Sequence, residues 1–172
     1  MINISFKNNI PGRKTLHYYL PFKDKYILIV GYPRSGTSLL YNMLSASING
    51  FQFTPFETSC WKAVVEKGNI ASKRPLDIFE VRDLFRIYRY YKRIYLLIMV
   101  RDIRDLVTSK HPNVPEDYFI GYNYSYRVGA YPYDDAKPVH PGVLDYYNEI
   151  QRISGLDDLK SLIVKYEELT QN

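Results

Sequence analysis

Two stretches of the chain are apolar, uncharged and rich in β-branched or aromatic residues: Tyr26 to Val30 (YILIV) and Ile94 to Val100 (IYLLIMV). Runs without polar alternation mark strands covered on both faces. After the first run the period changes, and Leu39, Leu40, Met43, Leu44 and Ile48 recur at helical spacing. The second run leads directly into Arg101-Asp102-Ile103-Arg104-Asp105-Leu106-Val107-Thr108-Ser109, repeating the arrangement. Near the end, Leu162-Ile163-Val164-Lys165-Tyr166-Glu167-Glu168-Leu169 reads as a short strand closed by a turn.

Between these lie helical patterns. Glu57 to Lys67 has room for a short helix. Leu76 to Arg93 predicts a longer one, with Val81, Leu84, Phe85, Tyr88 and Tyr91 on its apolar face and Arg82, Arg86, Arg89 and Arg93 on the other. That basic stripe is either a solvated face or a lure for an acidic acceptor or partner. Val143, Tyr146, Tyr147, Ile150 and Ile153 predict a last amphipathic helix. Residues 1–25 form a polar and aromatic arm broken by Pro11-Gly12 and Pro21, leaving 26–169 as the core of one domain spanning 1–172. Alternating strands and helices imply an α/β fold: three layers, a parallel sheet flanked by helices, ligands at the carboxyl ends of its strands.

Composition narrows the function classes. Of 172 residues, 46% are hydrophobic, enough for one core. The net charge of +5, from 23 basic and 18 acidic side chains, favours anionic ligands without the excess of a nucleic-acid binder. One cysteine, Cys60, rules out an internal disulfide and points to a reducing compartment. No run approaches the roughly 20 apolar residues that cross a bilayer, and the N-terminus lacks a signal-peptide core, so the expectation is a soluble cytoplasmic protein. No Cys/His cluster has zinc spacing, and no metal is expected.

The candidate chemistry sits between the first strand and the first helix. Gly31 and Gly36 keep the glycine spacing of a phosphate-binding G-x-x-x-x-G-K-[ST] loop. The amides of Gly36, Thr37 and Ser38 at the helix start, the helix dipole and the Arg34 guanidinium all suit a phosphate. The bland alternative is a glycine-containing turn without a ligand. Thr37 occupies the lysine position, which disfavours an ATP- or GTP-dependent kinase or NTPase, as does the lack of a clear magnesium carboxylate after a strand.

The segment Pro33-Arg34-Ser35-Gly36-Thr37-Ser38-Leu39-Leu40 resembles the 5'-phosphosulfate loop of sulfotransferases that use 3'-phosphoadenosine 5'-phosphosulfate (PAPS). Arg101 and Ser109, eight residues apart, match the family positions that bind the 3'-phosphate, a guanidinium offering the forked donors a phosphate accepts. Lys165-Tyr166-Glu167-Glu168-Leu169 resembles the family's "RYEDL" segment, which implies that Tyr166 lies against the adenine end. The alternatives are a surface ion pair for Arg101 and core packing for Tyr166. The resemblance therefore implies a P-loop NTPase-like sulfotransferase fold, PAPS as donor and 3'-phosphoadenosine 5'-phosphate (PAP) as product.

Sulfuryl transfer needs a base for the acceptor's proton, charge stabilisation of the sulfonate and in-line placement. Phe53-Thr54-Pro55-Phe56-Glu57-Thr58 resembles the segment where the tyrosylprotein, carbohydrate and bacterial branches place a catalytic glutamate, making Glu57 the candidate base. Burial among Phe53, Phe56 and Trp61 is expected to raise its pKa; otherwise Glu57 is a carboxylate satisfying a helix N-terminus. Lys73, in Ser72-Lys73-Arg74-Pro75, resembles the lysine of a "K-x-P" segment near the bridging oxygen, or else is a surface lysine before a proline turn. Arg34 is expected on the 5' side, with Ser35, Gly36, Thr37 and Ser38 completing the loop. His17, His111 and His140 match no histidine-base motif and are expected to be structural.

Tyr118 to Tyr133 holds six tyrosines, either an aromatic wall over the acceptor or a loop packed by its own rings. A carbohydrate, a tyrosyl peptide and a small alcohol or phenol all remain acceptors. Family members continue past the "RYEDL" segment with more helices and a basic segment that completes the 3'-phosphate pocket, whereas this chain ends at Asn172. A shortened, non-catalytic module that binds PAP or another nucleotide is the alternative to an enzyme.

Overall fold

Hydrogen bonding carries the two apolar runs into the middle of one sheet. The computed structural model describes residues 23–109, 141–156 and 158–171. Most of the expected N-terminal arm, the tyrosine-rich stretch and the three histidines lie outside the described residues. Strands β1 (Lys25–Gly31), β2 (Gln52–Phe53), β3 (Ile70–Lys73), β4 (Arg93–Val100) and β5 (Lys160–Lys165) form a parallel sheet in the order β2-β3-β1-β4-β5. The helices are α1 (Thr37–Ser47), α2 (Cys60–Ala63), α3 (Val81–Tyr88), α4 (Ile103–Thr108), α5 (Val143–Ser154) and α6 (Tyr166–Thr170), and a 3-10 turn spans Pro75–Glu80.

Helices cover both faces, giving the expected three-layer α/β architecture. On one face Tyr26, Leu28, Val30, Leu96 and Ile98 pack with Cys60 and Ala63 of α2, Ile78 of the 3-10 turn, Val81 and Leu84 of α3, and Tyr146, Ile150 and Ile153 of α5. On the other, Ile29 and Met99 meet Leu40 of α1, with Val164, Tyr166 and Leu169 beside them. Among the described residues no helix is long and apolar enough to cross a membrane.

Two strands escaped the pattern. β2 is two residues long, and β3 (IASK) has a small or polar residue at three of its four positions, yet both are held by β1 and its neighbours. The long helix expected over Leu76 to Arg93 is instead the 3-10 turn followed by eight residues of α3, and Arg93 opens β4 by donating its amide to Asp24 O. The short helix expected over Glu57 to Lys67 contracts to Cys60–Ala63. In α1, Leu40 is buried but Leu39 and Met43 are exposed.

Register places the chemistry. Gly31 pairs with Met99, Ile29 with Lys73, and Val100 with Lys165. The segments after β1, β3, β4 and β5 thus leave the sheet along one edge, its carboxyl end. After β1 the chain moves outward to β2 and returns through β3, and only then crosses to β4 and β5. The reversal beside β1 is the crevice where open α/β sheets bind ligands.

Candidate functional site

The turn from β1 into α1 is built on a close approach of two strands. A Cβ on Gly31 would lie 2.1 Å from Met99 O, so no side chain fits there. Tyr32 donates its amide to the same Met99 oxygen, while Ser35, fully buried, donates both its amide and its hydroxyl to Tyr32 O at 3.2 and 2.6 Å. Ser35 thus pins the loop from inside. Arg34 adopts φ 69° within the turn. Gly36 then caps α1 with φ 94° and supplies no side chain, so the first-turn amides keep their partial positive charge. Thr37 is buried and Ser38 exposed at that helix start.

One side of the loop carries a three-residue polar chain. Lys73, last residue of β3, donates from Nζ to Ser38 Oγ at 2.8 Å and to Glu57 Oε1 at 2.9 Å. Its side chain is 11% exposed, which is not a free surface lysine, whereas Glu57 is 53% exposed. The expected burial of Glu57 does not occur: Phe56 is 91% exposed, Phe53 turns to Tyr41, and Trp61 donates to Glu80. Glu57 also precedes the cap of α2, Ser59, so it is not a carboxylate inside that helix terminus.

Asp77 fills that terminus instead, and sequence reasoning missed it. Its buried carboxylate accepts the Cys60 amide at 2.6 Å and faces Arg74 at 3.4 Å. Burial pushes the Asp77 carboxyl above its ordinary range, despite the Cys60 amide and the Arg74 charge. Burial, with Asp77 beside it, also pushes the Cys60 thiol up to about 12, which leaves it inert as a nucleophile. The available signal was Pro75-Leu76-Asp77, an acidic residue in the first turn after a helix-opening proline.

The other side of the loop gathers the remaining candidates. Arg101, directly after β4, donates to Arg34 O at 3.4 Å and stands 4.3 Å above the Tyr166 ring. Arg34 sends its guanidinium to Ser109 Oγ at 3.3 Å, on this side of the loop rather than the expected 5' side. The Arg101–Asp105 ion pair foreseen as an alternative exists at 3.5 Å, yet Arg101 Nε stays buried without a hydrogen-bond partner among the described residues. Tyr166 also touches the loop: a Cβ on Gly36 would lie 2.5 Å from its Cδ2. Glu167, unassigned from sequence although it stands inside the recognised motif, accepts the Asp102 amide at 2.8 Å.

Phosphate-sized anions suit this arrangement at two places, the α1 terminus beside Lys73 and the Arg101–Ser109 corner. No protein-family model and no curated protein matches the chain. Among solved structures the chain is similar to one described as the crystal structure of mouse sulfotransferase SULT7A1 complexed with PAP, with a TM-score of 0.57 and 16% identity. The match covers 91% of this chain and 58% of that one, so the chain spans little more than half of that neighbour's length. The fold is sulfotransferase-like.

Proposed function

We propose that the chain is a PAPS-dependent sulfotransferase domain acting on a hydroxyl acceptor. The observation that carries this reading is the convergence, on one sheet edge, of an uncapped helix N-terminus beside Lys73 with a separate corner of Arg101, Ser109 and Tyr166. Two anion positions flanking one loop match a nucleotide bearing phosphates at both its 5' and 3' ends. That the neighbour's structure holds PAP supports the same ligand class.

The residues fit such a ligand. Gly31 and Gly36 let β4 and the Tyr166 ring close in on the loop where any Cβ would clash, and the buried Arg101 Nε keeps donor capacity. In this reading the first-turn amides of α1 with Lys73 hold the 5' side, Arg101 and Ser109 hold the 3'-phosphate, and the Tyr166 ring backs the adenine end. Arg34, anchored at Ser109, links the two positions through the loop. When bound, PAPS supplies an activated sulfuryl group whose bond to the 5'-phosphate oxygen breaks as the acceptor oxygen attacks. Glu57 takes the acceptor's proton on a carboxylate oxygen, and Lys73 stabilises the charge left on the departing phosphate.

The exposure of Glu57 and its pairing with Lys73 favour a second reading, a module that binds PAP without catalysis. The first test is calorimetric titration with PAP, with 5'-AMP and magnesium-ATP as controls. Preference for PAP, lost in Arg101→Ala, is the expected result. Equal affinity for PAP and 5'-AMP overturns the 3'-phosphate assignment, and binding of ATP alone moves the chain to the P-loop kinases. Transfer to an acceptor, lost in Glu57→Gln, separates enzyme from module.

A further inference from the structure

We infer that Glu167 is a positioning residue for 3'-phosphate recognition, holding the Arg101–Asp102 turn in place so that Arg101 meets the phosphate pre-oriented. The inference rests on the reading of Arg101 and Ser109 as 3'-phosphate ligands. Its basis is a clamp formed by two consecutive residues at the start of α6. The Tyr166 ring lies 4.3 Å under the Arg101 guanidinium, and the Glu167 carboxylate accepts the next amide along, that of Asp102, at 2.8 Å. One residue pair therefore grips both the side chain of Arg101 and the peptide that follows it.

Nothing else on the turn takes over this bond. The Asp102 carboxylate is occupied by Arg104, accepting its amide at 2.9 Å, its Nε at 3.0 Å and its Nη2 at 2.6 Å. Asp102 also caps α4 through that amide. The neighbouring Glu168 turns to Lys165 at 3.1 Å. Without Glu167 the partly buried Asp102 amide loses the acceptor it has among the described residues, and the strand-to-helix turn that aims Arg101 loses its side-chain tie to α6. The rest of Arg101's surroundings is weakly restraining: long contacts to Arg34 O and Asp105 at 3.4 and 3.5 Å.

Positioning of this kind acts on one phosphate and not on the whole nucleotide. The test is calorimetric titration of the full chain with PAP and with 5'-AMP, for wild type and for Glu167→Ala, Glu167→Gln and Glu167→Asp. Glu167→Ala is expected to weaken PAP about tenfold while changing 5'-AMP less than about twofold. Glu167→Gln keeps an oxygen acceptor at the same reach and is expected to stay within about threefold of wild type for PAP; Glu167→Asp keeps the charge but falls short and should resemble alanine. The Gln and Asp pair decides the matter even if alanine prevents folding. Equal loss of both ligands, an unchanged PAP to 5'-AMP ratio, or an Asp variant that matches wild type while Gln does not, overturns the inference and leaves the 3'-phosphate site standing. If wild type itself binds PAP no better than 5'-AMP, the site assignment falls and this inference with it.

Discussion

Lys73 Nζ stands 2.9 Å from the Glu57 carboxylate, and its other bond, to Ser38, ties that pair to the first turn of α1. The proposed base and the proposed 5'-side cation thus pair with each other. An exposed partner limits what such a pair adds to stability, about 0–1 kcal/mol. Glu57→Gln should therefore leave the melting temperature within about 4 °C of wild type. If Glu57 is the base, the same change lowers transfer by roughly 100-fold or more with PAP affinity nearly unchanged. Transfer rate, calorimetry and a thermal melt on one preparation check all three, and an active Gln variant removes Glu57 from the mechanism.

Arg101 should dominate discrimination between nucleotides. Its guanidinium is backed by the Tyr166 ring and its side chain is 22% exposed, a partly desolvated cation ready to meet an anion. Arg101→Ala should reduce PAP affinity by roughly 10- to 100-fold, since hydrogen bonds to charged groups contribute about 1.5–3 kcal/mol. Arg101→Lys should recover only part of it, because an ammonium neither forks nor stacks on the tyrosine as a guanidinium does. Titrations with PAP and 5'-AMP give the comparison, and equal losses for both ligands contradict the assignment.

The two loop glycines should differ in kind. At Gly31 the added methyl meets a backbone carbonyl at 2.1 Å, which cannot rotate away, and φ is 139°. Gly31→Ala should cost about 3 kcal/mol or more and separate β1 from β4 at their carboxyl ends. At Gly36 the obstacle is the Tyr166 ring, so Gly36→Ala should lose stability and displace Tyr166 from Arg101 together. Adding Tyr166→Ala removes the clash but not the backbone strain at φ 94°, and it takes Tyr166 from the cluster of Ile29, Leu40 and Met99, so it should restore neither full stability nor PAP binding. Thermal melts and titrations of the single and double variants check this.

Much of this was legible before the fold. The uninterrupted apolar runs of β1 and β4 and the glycine-bearing turn from β1 into α1 read directly, because buried central strands and tight strand-to-helix turns leave strong local patterns. β2 and β3 did not, because two residues and an IASK tetrapeptide carry no propensity of their own: β3 pairs because β1 offers an edge, and β2 because β3 then offers the next. The environment of Glu57 was misjudged for a related reason. Aromatic neighbours in sequence imply burial only if they share a face, and Phe53, Phe56 and Trp61 go three separate ways. The course of the Arg34 side chain to Ser109 was equally unreadable, since it starts from a left-handed backbone at φ 69° that the residue type does not announce.

Acid should reveal Asp77. Burial holds its carboxyl above the ordinary range, so in the interval between the unfolded value, near 3.8, and the raised folded value the native state keeps a proton that the unfolded chain releases. Stability from this group therefore falls as pH rises through that interval and is recovered on acidification. Asp102 works in the opposite sense: bonds from the Arg104 side chain and amide hold it at about 2, so its contribution is present above the unfolded value and is lost as pH falls toward 2. Asp77→Asn keeps an oxygen for the Cys60 amide and cannot titrate, while Asp102 is common to both proteins. The melting temperature of wild type relative to Asp77→Asn should accordingly rise as pH is lowered from 7 to 4, and a constant difference would remove the buried carboxyl from the acid response.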